Sequence, residues 1–123
     1  MVAPSLRMPV VGRSIAGVVV LCFAGPMCRL VGLSDDSHTA RRIGAAVAVT
    51  DVTGALGVVA AGSAVGQRRA ALTNAALDVL LASALVALGT RRHGSQRVSA
   101  LLASASVWFG AGAWFLGARQ LQD

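Results

Sequence analysis

Two stretches decide the reading of this chain: Ile43–Ala61, IGAAVAVTDVTGALGVVAA, and Ala70–Gly89, AALTNAALDVLLASALVALG. Each is long enough to cross the hydrocarbon core of a bilayer as a helix, and each carries one acid near its middle, Asp51 and Asp78. An Asp at mid-span costs about 3 kcal/mol to insert, and each Val, Ile or Leu returns only about 0.3–0.6. In the first stretch Ile43, Val47, Val49, Val52, Leu56, Val58 and Val59 together recover about 2–4 kcal/mol. That span is marginal alone and must lean on its neighbours.

The helical wheel says which way it leans. Positions three, four and seven from Asp51 hold Gly44, Ala48, Gly54 and Ala55; the same spacing around Asp78 gives Ala71, Asn74, Ala75 and Ala82. Small-residue stripes of this kind let helix backbones approach. Both acids are therefore expected inside a bundle. Antiparallel packing of the two spans would place the carboxyls at similar depth, where two acids resist joint ionisation. A third small stripe, Ser99, Ala103, Ser106, Gly110, Ala113 and Gly117, lies further on.

Composition agrees. Hydrophobic residues make up 55% of the 123 positions and charged residues 13%, about half the charged share of a soluble domain, and the mean hydropathy is +0.69. Four spans are predicted, at 14–31, 43–61, 70–89 and 98–117, giving an all-α, membrane-spanning four-helix bundle in one domain. Pro26 is expected to kink or end the first helix. Ser34, Asp35, Asp36 and Ser37 are helix N-cap types that suit the start of the second. The polar runs at 62–67 and 90–97 read as loops. A basic N-terminal stretch before an apolar core also fits a signal peptide cut near Ala24–Gly25, which would leave three spans.

All eleven basic residues are Arg, and the net charge is +6. They sit in small groups at the ends of apolar runs, the punctuation of a multispanning protein, rather than in one patch with interleaved aromatics. This argues against nucleic-acid binding. Arg7, Arg13, Arg68, Arg69 and Arg119 fall on one side, and Arg29, Arg41, Arg42, Arg91, Arg92 and Arg97 on the other. Five against six leaves orientation open, with a weak lean toward cytoplasmic termini. The Ala, Gly and Arg bias without Lys points to a bacterial source and hence to a bacterial cell membrane.

No cofactor, metal site or catalytic residue is expected. Cys22 and Cys28 face different ways on a helix and read as small buried or lipid-facing residues. His38 and His93 stand in loops away from any ligand cluster, and no His accompanies a Ser or Thr in a span. Trp114 and Phe115 read as an interfacial belt, and Trp108 and Phe109 as packing. The site that remains is an intramembrane polar or proton site of Asp51, Asp78, Asn74 and Thr50. The alternative is a protonated acid bonded to Asn74, Thr50 or an Arg that holds helices together.

The runs GPMCRLVGLSDD, ARRIGAAVAVTDVTGALG and TNAALDVLLASAL resemble small four-helix actinobacterial membrane proteins of unknown function, distantly DoxX-like. The resemblance covers about 25–85. It implies a four-helix fold with no defined reaction, and matches Asp51 and Asp78 to acids of the second and third helices. Thr50 stands where that family often has Arg, so an Arg–Asp pair at this place is absent. In size and balanced loops the chain is also similar to small multidrug transporters, which work as dimers, although its first span lacks their acid. Two roles are thus expected: an accessory or structural membrane protein without a reaction of its own, or a small proton-coupled or polar-solute carrier. Candidate partners are the lipid bilayer, a second copy, or a larger membrane protein.

Overall fold

The computed structural model describes residues 1–33 and 36–121. It consists of helices α1 (Pro4–Cys22), α2 (Ala24–Leu30), α3 (Ser37–Ala60), α4 (Ala64–Thr90) and α5 (Gly94–Arg119), with no strand among the described residues. Four of them, α1, α3, α4 and α5, are long and apolar enough to span a membrane. This is the all-α membrane-spanning bundle expected from the sequence.

The first span differs from expectation. Its helix starts at Pro4, ten residues before the predicted start at Ser14, with proline at the first helical position where a missing N–H costs nothing. Pro9 lies inside α1 and leaves the Ser5 carbonyl without its usual donor. That carbonyl packs closely against Gly117, where an added Cβ would stand 2.7 Å from it. The break comes at Phe23, three residues before Pro26. Pro26 has no N–H to bond the Cys22 carbonyl and its ring would collide there, so α1 stops and α2 restarts with Pro26 in its first turn. α2 ends in a Schellman motif: Leu33 N–H donates to the Cys28 carbonyl at 2.8 Å and Gly32 N–H to that of Arg29 at 3.1 Å. Gly32 takes the left-handed conformation this requires (φ 73°).

The other starts follow from capping. Asp36 caps α3, accepting from His38 N at 3.1 Å, Thr39 N at 3.3 Å and Thr39 Oγ1 at 2.7 Å. Of the four N-cap candidates Asp36 takes the role; Ser34 and Asp35 lie outside the described residues. Ser63 Oγ accepts from Gly66 N at 3.1 Å and starts α4. The two later loops are tighter than predicted, 61–63 and 91–93, because the helices run one to two turns past the apolar cores of their spans.

The bundle is inside-out relative to a soluble one. Its buried apolar residues are mostly Ala, with Leu6, Val58 and Trp114 the large exceptions, while Leu80, Leu102, Phe109 and Leu116 point outward. In lipid, bulky side chains gain little by turning inward, and small ones let backbones close up. At Gly44 a Cβ would lie 2.3 Å from that of Ala24. α1 packs chiefly along α3, and α4 chiefly along α5; the seam between α3 and α4 is much thinner. At one end Gln67 ties the halves together, accepting from Ala3 N at 2.9 Å and donating to the Met1 carbonyl at 2.6 Å. Nearby Ser5 Oγ donates to the Gly117 carbonyl at 3.0 Å.

Three of the four aromatic residues nominated in the last span depart from their expected roles, while Phe115 faces outward as an interfacial residue would. Trp114 is 2% exposed and packs with Leu6, Val58, Ala71, Ala75 and Ala118. Trp108 and Phe109 face outward instead. The buried face of α5 is Ala100, Ser104, Ala111, Trp114, Gly117 and Ala118. The predicted stripe was therefore misphased in its first half: Ser104, not Ser106, faces inward, and its hydroxyl donates to the Ala82 carbonyl at 2.8 Å. Cys22 is exposed, Cys28 is buried, and the two are unbonded.

Candidate functional site: a buried arginine between two aspartates

Asp51 and Asp78 sit near the middles of α3 and α4, and both turn into the bundle, 8% and 6% exposed. What lies between them is Arg13. Read from the sequence as a membrane flank, it is instead in the middle of α1 and 7% exposed. Its Nη1 donates to Asp78 Oδ1, and its Nε stands 3.5 Å from Asp51 Oδ1. An Arg–Asp pairing is thus made between helices, from α1 to α3 and α4.

Local sequence makes room for this. Gly17, one turn beyond Arg13, brings α1 against α3; an added Cβ would touch that of Asp51 at 3.3 Å. Gly54 opens the place where Asn74 and Arg13 meet, since a Cβ there would stand 2.2 Å from Asn74 Oδ1 and 3.2 Å from Arg13 Nε. Gly110 of α5 faces Asp78 Oδ2, at 3.4 Å from its Cβ position. Trp114 closes the other side, with the Arg13 guanidinium carbon 5.9 Å from its ring centroid in the range of a cation–π contact.

Each charge alone would cost about 3 kcal/mol at this depth, and pairing offsets the cost. The pairing is uneven. The Asp78 contact is a direct charge-assisted hydrogen bond, the stronger kind. The Asp51 contact is an ion pair without one: Arg13 Nε is buried and has no hydrogen-bond partner, and 3.5 Å is too long for a good bond. Fully ionised, the cluster carries one negative charge in excess, and that excess belongs to Asp51.

The other two nominated residues meet different partners. Asn74 Nδ2 donates to the Gly54 carbonyl at 3.0 Å, and Thr50 Oγ1 donates to Ala46 of its own helix at 2.8 Å. Both border the α3–α4 seam, where two adjoining cavities open. One, of about 190 Å³, is bordered by Arg13, Thr50, Asp51, Leu77, Asp78 and Leu81. The other, of about 440 Å³, shares Thr50 and Leu77 and continues past Thr53, Gly54, Thr73 and Asn74. Among the described residues no group of three or more His, Cys, Asp or Glu side chains could hold a metal ion.

Fold and site together define a multi-pass α-helical membrane protein with a buried Arg–Asp–Asp cluster beside a groove between α3 and α4. Compared with protein-family models, with curated proteins and with solved structures, the chain matches none.

Arg13 and Trp114 are the site residues that sequence reasoning missed. For Arg13 a signal existed. Two mid-span acids call for a cation at their depth, and the apolar residues Met8, Val10 and Val11 extend the first span upstream of it.

Proposed function

We propose that this chain is a small proton-exchanging carrier of a bacterial cell membrane, with the Arg13–Asp51–Asp78 cluster as its proton site. The observation that supports this is the second carboxylate. A helix-holding ion pair needs one acid for one arginine, and an unneeded buried charge is expensive. Here the surplus acid borders a cavity, so a proton has a route to it. One bound proton makes the cluster neutral; its release leaves one negative charge. A polar or cationic solute in the groove would be coupled to that exchange by charge. Asp51 exchanges the proton, and Arg13 with Asp78 forms the fixed pair beside it.

The test is proton titration of the purified protein in lipid nanodiscs, with Asp51→Asn and Asp78→Asn alongside. Wild type should take up and release one proton per chain more than Asp51→Asn over the pH range in which both stay folded, with the loop groups contributing equally to the two curves. Titration curves that superimpose for wild type and Asp51→Asn would rule the reading out. In proteoliposomes the same variants should lose pH-driven solute flux while keeping the fold.

The thin α3–α4 seam favours a second reading, an accessory subunit whose groove is covered by a larger membrane protein. Extraction from the native membrane in polymer nanodiscs separates the two. A second copy or the chain alone supports the carrier; stoichiometric recovery of a larger protein supports the accessory role.

A further inference from the structure

We infer that the α3–α4 groove is a binding site for an amphiphilic organic cation, taken from the bilayer, whose charged head rests at Asp51 and whose apolar body lies along the groove. The inference deepens the carrier reading by naming its substrate class, and it rests on three observations.

The first is charge. Arg13 is committed to Asp78 by a direct bond, while Asp51 accepts no hydrogen bond from the described residues and stands at 3.5 Å from an arginine Nε. Asp51 is more than nine-tenths buried and borders the smaller cavity. The ionised cluster carries one negative charge beyond its single arginine, and a cation at Asp51 would neutralise it in a low-dielectric place, where opposite charges attract strongly. An anion would meet two acids.

The second is shape. The two cavities share Thr50 and Leu77 and form one groove that reaches from Leu81 to Ala70 along α4. At 1.5 Å per residue this is about 16 Å, the reach of a medium alkyl chain. The third is wall chemistry. Of the groove's three threonines, Thr50 and Thr73 turn their hydroxyls back onto the Ala46 and Arg69 carbonyls of their own helices. Asn74 is spent on Gly54. The groove beyond Asp51 therefore offers mostly methyl, methylene and glycine surface, which suits an apolar body.

Gly57 borders the groove away from the cluster, and a Cβ there meets nothing within 4 Å. A larger side chain at 57 would fill the groove without touching Arg13, Asp51 or Asp78.

The probe is labelled decyltrimethylammonium, measured as saturable binding to the full chain in nanodiscs above that of empty nanodiscs. Decanol serves as the neutral competitor, and proton titration is run on the same samples. Saturable binding is expected for wild type, with at least a tenfold loss in Asp51→Asn and a comparable loss in Gly57→Leu. Gly57→Leu should still exchange its proton. Decanol should displace the probe at least tenfold less well than unlabelled probe does. Binding unchanged in Asp51→Asn, or equal displacement by decanol, would show the groove to be only an apolar sink for lipid tails. Proton exchange in wild type with no saturable binding would overturn this inference and leave the carrier reading standing. Cation binding without proton exchange would do the reverse.

Discussion

Replacing Arg13 with methionine should destabilise the bundle by about 3–5 kcal/mol, the range seen when one partner of a buried ion pair is removed. The structure gives the same size by parts. The bond from Nη1 to Asp78 is a hydrogen bond between charged groups, worth about 1.5–3 kcal/mol. The Asp51 pair at 3.5 Å adds about 5 kcal/mol at an effective dielectric of about 20. Against these stands the guanidinium's own cost of burial, about 2.5–3.5 kcal/mol at mid-bilayer, which the variant no longer bears. Methionine keeps the apolar stem over Trp114, so packing changes little. The loss should come from two acids left without a cation. The variant Arg13→Met/Asp51→Leu/Asp78→Leu should then recover to within about 1 kcal/mol of wild type, because a buried charged triad replaced as a whole by apolar side chains is close to neutral. Reversible unfolding in mixed micelles, followed by circular dichroism, gives both numbers. A single variant within about 0.5 kcal/mol of wild type, the effect of an ordinary surface change, would refute the reasoning. So would a triple variant no better than the single.

Glycines give a second comparison. Gly54→Ala would set a Cβ 2.2 Å from Asn74 Oδ1 and should cost about 1–3 kcal/mol, whereas Gly57→Ala, in open space, should stay within about 0.5; the same unfolding assay decides. Orientation follows from moving Arg13 inside the bundle. The flanks become Arg7, Arg68, Arg69 and Arg119 against Arg29, Arg41, Arg42, Arg91, Arg92 and Arg97, four against six, which predicts that Arg41, Arg42, Arg91 and Arg92 lie on the cytoplasmic side. C-terminal alkaline phosphatase fusions should be active and green fluorescent protein fusions dark, and the opposite pattern would reverse the assignment. Asp36 supplies a pH prediction outside the membrane. The Thr39 hydroxyl and the amides of His38 and Thr39 hold its carboxyl below the ordinary range. A depressed carboxyl stabilises the start of α3 above its unfolded pKa of about 3.9, and that support is lost as pH falls through the folded value. Protection factors of the His38 and Thr39 amides, taken relative to the intrinsic exchange rate at each pH, should fall on acidification in wild type and show no such step in Asp36→Asn.

The sequence made the bundle legible because its strongest signals are local. Apolar length marks a span, and small residues three, four and seven positions from Asp51 and Asp78 mark the inward face. Ala48, Ala55, Ala71, Ala75 and Ala82 are indeed buried. What stayed hidden depends on depth and on neighbours. Arg13 looks like a flank while the span is taken to start after it, and only the upstream extension to Pro4 makes it a mid-helix residue. Trp114 carries an indole that suits an interface in general, and it is the guanidinium of Arg13, from another helix, that gives it a reason to be buried. Ser104 displaced Ser106 because the buried face of α5, centred on Ala100, Ser104, Ala111, Trp114 and Ala118, lies about one residue's rotation round from the small-residue stripe, so that small size alone did not mark the inward side. Asn74 and Thr50 are near the acids on the wheel, yet a backbone carbonyl was within closer reach of each.

The claim on which the rest depends is that Arg13 lies inside the bilayer between Asp51 and Asp78. Solid-state NMR in lipid bilayers measures it directly, through dipolar dephasing between guanidinium ¹⁵N and aspartate ¹³Cγ, with Asp→Asn variants assigning each carboxyl. Strong dephasing of the Asp78 carbon by Arg13 is expected, with weaker but clear dephasing of Asp51. An Arg13 guanidinium that couples to neither carboxyl and exchanges freely with water would contradict it.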